Sequence, residues 1–267
     1  MRCSGALPPP HSKALVGVAA FHIIIPARYG ARRLPGKPLL DLGGKPMIQR
    51  VVECARRSAA ASVTVATDEA RIARAVTDFG GTAVMTAAHH LCGTDRIAEA
   101  AAHLGFEEHE IIVNLQGDEP LMPPALIDQV ARHLAHRLHA AMATASAPLD
   151  PGQLTDPSVV KVVTDRDGYA LYFSRAAIAW MRDAPHHDAT AVARRHIGIY
   201  AYRCGYLQRF SARPACALEQ HEQLEQLRGL WYGDRIACAE AVEIPAAGID
   251  TPGDVARIRR TAWPDSD

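Results

Sequence analysis

Short apolar runs alternate with amphipathic stretches through the first half of the chain. Phe21–Pro26 (FHIIIP), Ser62–Ala66, Thr82–Met85 and Ile111–Leu115 are apolar and β-branched enough to predict buried strands. Between them, Met47–Arg57 carries apolar residues at 47, 48, 51, 52 and 55, one face of a helix. Ala70–Phe79 predicts a second helix, closed by Gly80-Gly81. A third opens at Cys92-Gly93-Thr94-Asp95-Arg96, with Thr94 as the expected N-cap, and ends at Gly105. Pro124–Leu138 and Ala141–Ala147 add another helix and strand. This order of strand, loop and helix predicts a doubly wound, mainly parallel sheet.

The pattern changes in the second half. Val159–Thr164 and Tyr169–Phe173 are predicted strands joined through Asp165-Arg166-Asp167-Gly168, a hairpin turn. Arg195–Arg203 (RHIGIYAYR) alternates, with His196, Gly198 and Tyr200 on one face and Ile197, Ile199 and Ala201 on the other. The first of these faces is unusually polar for a core. Leu218–Leu230 predicts one helix in which Leu224, Leu227 and Leu230 form an apolar line and Glu225 and Gln226 lie off it. Ile236–Ile244 predicts a late strand, and Thr251 with Pro252 predicts the N-cap and first turn of a final helix.

Composition narrows the function classes. The 267 residues suffice for one large α/β domain, and 29 basic residues balance 29 acidic ones, so no global field favours nucleic acid or an anionic membrane. No apolar run approaches the length of a membrane span. Six cysteines are scattered without a CxxC pair, which argues against a metal cluster and fits free thiols in a reducing compartment. Residues 1–20 read as a mobile N-terminal extension and make a poor signal peptide.

Two stretches carry candidate chemistry. The strand at 111–115 breaks at Gly117, and Pro120 prevents its continuation, so Asp118 and Glu119 fall at a central strand's end, where open α/β sheets bind ligands. The alternative is an ordinary turn with solvated acids. The loop after the first strand, Ala27–Pro38, holds four cations, two glycines and two prolines in twelve residues. It suits a polyphosphate held by Arg28, Arg33 and Lys37, against the alternative of a solvated basic turn. A P-loop fails, since five residues separate Gly30 from Gly36 and Pro38 follows Lys37. GxGxxG is missing, so a dinucleotide-binding oxidoreductase is not supported. His133, His136 and His139, and the pairs His89-His90 and His186-His187, are expected at the surface.

IIIPARYGARRLPGKPL, VATD, GTDR, VNLQGDEP, YALYFSR, RHIGIYAYR, LEQLRGLWYG and GIDTPGD stand in this order over residues 21 to about 261. Together they resemble the 3-deoxy-manno-octulosonate cytidylyltransferase (CMP-Kdo synthetase) family. YFSR followed by RH-GIY and LEQLR sets this family apart from other sugar nucleotidyltransferases. The resemblance implies a three-layer nucleotidyltransferase fold over residues 21–261, with a short tail at 262–267. Within it, a small mixed α/β subdomain at about 159–215 would serve dimerisation and sugar binding. It implies transfer of CMP from CTP to the anomeric hydroxyl of Kdo with Mg²⁺, in the cytoplasm and as a homodimer, for lipopolysaccharide biosynthesis.

The family's functional residues carry over onto positions already singled out. Arg28, Arg33 and Lys37 would hold the triphosphate, and Thr94, Arg96 and Gln116 would face the nucleoside or its ribose. Asp118 and Asp250 would bind Mg²⁺ and, with Lys37 and Arg28, form the catalytic group. Arg175, His196, Tyr200, Glu225 and Gln226 would contact Kdo, Arg175 being a natural partner for its carboxylate. Two departures stand out: Cys92 where the family commonly has Ser, and Gly253 where an acid is common. Rival expectations are a cytidylyltransferase for another acid sugar and a non-catalytic nucleotide-binding relative. The second would be expected to have lost its acids or loop cations, and here they are all present.

Overall fold

A computed structural model of the protein describes residues 20–30, 34–90, 92–180, 182 and 189–258. Residues 1–19, Arg33, His186, His187 and the 262–267 tail lie outside the described residues, so the expectations for them are not addressed. The predicted strands form: β1 (Phe21–Ala27), β2 (Ser62–Thr67), β3 (Thr82–Met85), β4 (Ile111–Asn114) and β5 (Met142–Ala147). The hairpin is β6 (Lys161–Thr164) with β7 (Ala170–Ser174), followed by β8 (Arg194–Arg203) and β9 (Ile236–Glu240). The late strand therefore stops four residues short of the predicted Ile244, and Val242 and Ile244 are exposed.

All nine strands join one sheet in the order β3-β2-β1-β4-β8-β5-β9, with the β6–β7 hairpin attached to β8. Neighbours pair parallel except within the β6–β7 hairpin and around β8, which runs antiparallel to β4, β5 and β6. Helices α1 (Met47–Ala55), α2 (Ala70–Asp78) and α4 (Pro124–His136) cover one face. Their apolar residues Ile48, Val51, Ile72, Val76, Ile127 and Val130 pack on Ile23, Ile25, Val65 and Val113. Helices α3 (Gly93–Leu104) and α5 (Cys204–Ala212) cover the other, where Ile97, Ala101, Leu207 and Phe210 meet Ile24, Ile112 and Tyr202. The alternating strand pattern thus feeds two apolar layers, one on each face, the three-layer arrangement expected.

Two local expectations need correction. Thr94 is not the N-cap of α3: the cap is Cys92, two residues earlier, whose sulfur accepts the Asp95 amide at 3.4 Å. Cysteine thus takes the capping place of serine, which frees the Thr94 hydroxyl for another partner. The stretch Leu218–Leu230 is two short helices, α6 (Ala217–Glu222) and α7 (Gln226–Trp231). Gln223 breaks them with φ 53°, a left-handed conformation that no glycine or asparagine signals in the sequence. The break keeps Leu224 and Leu227 buried while turning Glu225 toward the sheet's ligand-binding edge. The last helix, α8 (Pro252–Ile258), is capped as predicted, Thr251 Oγ1 accepting the Asp254 amide at 3.3 Å.

Candidate active site

A cleft of about 460 Å³ opens where β1 and β4 end, lined by Arg28, Lys37, Arg96, Gln116, Asp118, Glu225 and Asp250 among others. The sheet geometry explains the gathering. β1 and β4 are adjacent and parallel, so the loops that follow them leave the sheet side by side. Gly117 is needed here, because a Cβ at that position would lie 2.8 Å from the Pro26 carbonyl oxygen. The chain before α8 is then tied on by the Ile249 amide, which donates to the Asp118 carbonyl at 3.1 Å. One backbone bond therefore sets Asp250 beside Asp118, although the two are 132 positions apart in sequence.

Lys37 joins the two acids. Its ammonium donates to Asp118 Oδ2 at 2.7 Å and to Asp250 Oδ1 at 3.0 Å, while the residue itself is only 8% exposed. Burial pushes the neighbouring Glu119 up to about 8, and the charges of Asp118 and Asp250 add to that. Glu119 is therefore largely protonated at neutral pH, leaving Asp118 and Asp250 as the acids paired with the cation. Among the described residues, no group of three or more His, Cys, Asp or Glu side chains is placed to hold a metal ion. The Asp118–Asp250 pair nonetheless fits Mg²⁺. Its oxygens already converge on one cation, and Mg²⁺ is commonly held by one or two carboxylates, with phosphate and water oxygens filling its shell.

Of the other residues expected to face the nucleotide, Arg28, Arg96 and Gln116 line the cleft and Thr94 does not, while Arg33 lies outside the described residues. Arg28 is exposed at the cleft mouth. Arg96 is buried on α3, its guanidinium donating to Thr86 Oγ1 at 2.6 Å and to Asp68 Oδ2 at 3.0 Å. Gln116 donates to Asn114 Oδ1 at 3.1 Å. Thr94 is 2% exposed, and its hydroxyl donates to Glu225 Oε2 at 2.5 Å. Burial raises the Glu225 carboxyl above its usual range.

The other residues expected to contact a sugar do not line the cleft. Arg175, at the end of β7, donates from Nε to the Glu222 carbonyl at 2.8 Å and from Nη1 to the Pro157 carbonyl at 2.9 Å. Its backbone is held as firmly: the amide donates to Glu222 Oε2, and the carbonyl accepts from Lys161, a lysine with no exposed surface. His196 and Tyr200 do share a face of β8, with ring centroids 5.4 Å apart. Between them the register with β5 shifts, so Gly198 and Ile199 form a bulge. The Thr144 hydroxyl fills it, hydrogen-bonding His196 Nε2 at 3.0 Å and donating to the carbonyls of Ile197 and Ile199. Burial lowers His196 to about 3, so the ring is neutral at working pH. Gln226 is buried at the start of α7.

The histidine pair at 89–90 divides. His89 is exposed, whereas His90 lines the cleft and hydrogen-bonds Glu99 on α3, a correction to the expectation that both are surface residues. Only the fold shows this, because Glu99 approaches from nine residues away on the next helix. His133 is half-buried rather than superficial, and burial lowers its pKa.

A cytidylyltransferase family model matches residues 22–236. A 3-deoxy-manno-octulosonate cytidylyltransferase of Idiomarina loihiensis is 53% identical over 249 residues, covering 91% of this chain and 98% of that protein. One of Pseudomonas syringae pv. tomato is 52% identical, with the same coverage. Among solved structures, a CMP:2-keto-3-deoxy-manno-octonic acid synthetase complexed with CTP superposes with a TM-score of 0.83 at 42% identity, covering 90% of this chain and 97% of that one. Fold and cleft thus define a nucleotidyltransferase. The chain belongs to the cytidylyltransferase family and, within it, to the 3-deoxy-manno-octulosonate cytidylyltransferases.

Proposed function

We propose that the protein transfers CMP from CTP to the anomeric hydroxyl of 3-deoxy-D-manno-octulosonate, releasing pyrophosphate, as a step of lipopolysaccharide biosynthesis. The observation that carries this reading is the Lys37 bridge between Asp118 and Asp250 in a cleft that also holds Arg28, Arg96 and Gln116. Lys37 and Arg28 would bind and neutralise the triphosphate, which repels an incoming oxygen until its charge is offset. Asp118 and Asp250 would hold Mg²⁺, which when bound supplies Lewis-acid stabilisation of phosphate charge and lowers the pKa of a coordinated hydroxyl. No protein nucleophile is required, so rate enhancement rests on alignment and charge.

Glu225 stands at the cleft wall, whereas Arg175, His196, Tyr200 and Gln226 do not line the cleft. In this reading all five would contact the sugar. The neutral His196 ring offers a hydrogen bond rather than a charge. A homodimer is supported by Leu171, Trp180 and Val192, large apolar residues in and after the hairpin that are 62%, 74% and 53% exposed. They lie in the 159–215 region proposed as the small subdomain, and light scattering that gives a stable monomer at micromolar concentration would exclude the dimer. No described helix is long and apolar enough to cross a membrane; the reading further includes a cytoplasmic location. The reaction is tested by pyrophosphate release from CTP and Mg²⁺. Release that requires Kdo supports it, and the absence of release with Kdo present contradicts it.

A further inference from the structure

Two side chains that the proposed chemistry does not use, Glu222 and Lys161, hold Arg175 in place. β6 and β7 pair with Lys161 opposite Ser174, so Arg175 leaves the hairpin one position beyond that pair. Glu222 is the last residue of α6, and the left-handed Gln223 follows it. A helix end leaves carbonyls without intrahelical partners, and the Glu222 carbonyl takes Arg175 Nε at 2.8 Å. The Glu222 side chain returns to the same strand end. Its Oε2 accepts the Arg175 amide at 2.9 Å, and its Oε1 accepts the Ser174 hydroxyl at 2.7 Å. That hydroxyl oxygen accepts the Ala176 amide at 3.0 Å, so one carboxylate organises the backbone of 174–176.

Lys161 secures the opposite side. It has no exposed surface, and its ammonium donates to three carbonyls, those of Asp156 at 2.9 Å, Val159 at 2.6 Å and Arg175 at 2.5 Å. An ammonium has three protons, and all three are used. Asp156 and Val159 flank Pro157, whose carbonyl receives Arg175 Nη1 at 2.9 Å. Burying an ammonium is costly, and an apolar side chain of its size would fill the space without that cost. An apolar side chain could not draw carbonyls from two segments to one point. Both carbonyls that hold the guanidinium, of Glu222 and Pro157, thus stand on segments tied to the hairpin by these two residues. Among the described residues no hydrogen bond takes Arg175 Nη2, which leaves that group for an outside acceptor.

We propose that Glu222 and Lys161 are positioning residues for the sugar substrate, fixing the Arg175 guanidinium in the direction from which Nη2 meets the sugar's carboxylate. The inference rests on the reading of Arg175 as a contact for the carboxylate of 3-deoxy-D-manno-octulosonate. An arginine already held meets a carboxylate without first losing its rotamer freedom, and that loss is among the largest of any side chain. Neither Glu222 nor Lys161 lines the cleft, so their influence reaches the sugar through Arg175 and leaves the nucleotide alone.

The test measures KM for Kdo and for CTP in Glu222→Gln, Lys161→Met and Arg175→Ala, and in each of the first two combined with the third. Glu222→Gln keeps the size of the side chain and turns one of its two acceptors into a donor. It should raise KM for Kdo about tenfold, the scale of one hydrogen bond to a charged group, with KM for CTP unchanged. Lys161→Met should show the same split. In the Arg175→Ala background neither substitution should raise KM for Kdo further, because both act through the side chain already removed. A general structural role would instead weaken both substrates, or add its full effect to that of Arg175→Ala. Either result overturns the proposal, as does an unchanged KM for Kdo in a folded single variant. Thermal unfolding identifies a variant that has lost its fold. Glu222 is half-buried and its replacement isosteric, so Glu222→Gln decides where Lys161→Met does not fold. An unchanged KM for Kdo in Arg175→Ala overturns the sugar reading of Arg175 itself, a separate result that removes the proposal with it.

Discussion

The end of the parallel sheet and the antiparallel region around β8 contribute to the proposed site in different ways. On the first, Lys37, Gln116, Asp118 and Asp250 all face one cleft, and the acids already share a cation. On the second, Arg175, His196 and Tyr200 lie off the cleft, and Arg175 and His196 satisfy their hydrogen bonds on carbonyls, a carboxylate and Thr144. Parallel strands deliver consecutive loops to one edge, so a charge cluster there needs only short loops and one backbone tie. The β8 side relies on a bulge, a hairpin and a break between helices; the break alone brings a side chain, Glu225, to the cleft, while Arg175, His196 and Tyr200 stay off it. The comparison suggests a nucleotide half that is formed before binding and a sugar half that completes itself on the bound nucleotide.

Asp118→Asn is the strongest way to break this contrast. A neutral amide is a much weaker ligand for a hard cation, so turnover should fall about a thousandfold or more while thermal unfolding changes little. Retention of most activity would remove the acids from the chemistry. Arg175→Ala should act on the other half, raising KM for the sugar about tenfold or more with KM for CTP unchanged. A change confined to CTP would show that Arg175 belongs to the nucleotide half.

The pH dependence sharpens the contrast further. His196 titrates near 3 in the folded protein against 6.5 for a free histidine, so the unfolded chain binds a proton that the folded one refuses. Stability should therefore fall as pH drops from 6.5 toward 3, and denaturant titrations of His196→Gln should lack that slope. A profile unchanged by the substitution would contradict a neutral, buried ring. The smallest effect is expected at α8. Hydrogen bonding, from Thr251 above all, holds Asp254 at about 2, below its ordinary 3.8. Its contribution should be present above pH 3.8 and vanish as pH falls through about 2, and Asp254→Ala should flatten this acid limb in the same titration.

Much of the nucleotide half was legible in the sequence because it depends on local grammar. Gly30 and Pro35 after β1, and Gly117 and Pro120 after β4, mark the exits of these two strands toward the cleft. The N-cap of α8 was equally plain in Thr251-Pro252. What stayed hidden depends on contacts between distant segments. The break at Gln223 interrupts a leucine spacing that continues across it, and the bulge at Gly198 exists because Thr144 from a neighbouring strand fills it. His90 looked superficial until α3 placed Glu99 against it. Cys92 could have been read as a cap, since it stands where the family commonly has serine, but thiols are weak caps and Thr94 was the stronger local signal.

The most direct test of the two-halves account is calorimetric titration of each substrate into the purified protein. The nucleotide would be a CTP analogue with a methylene between its α- and β-phosphorus atoms, which permits binding without turnover. The account predicts that the analogue with Mg²⁺ binds the free protein, while Kdo gives measurable heat only after the analogue is bound. Kdo binding the free protein as tightly as the nucleotide-loaded protein would contradict it.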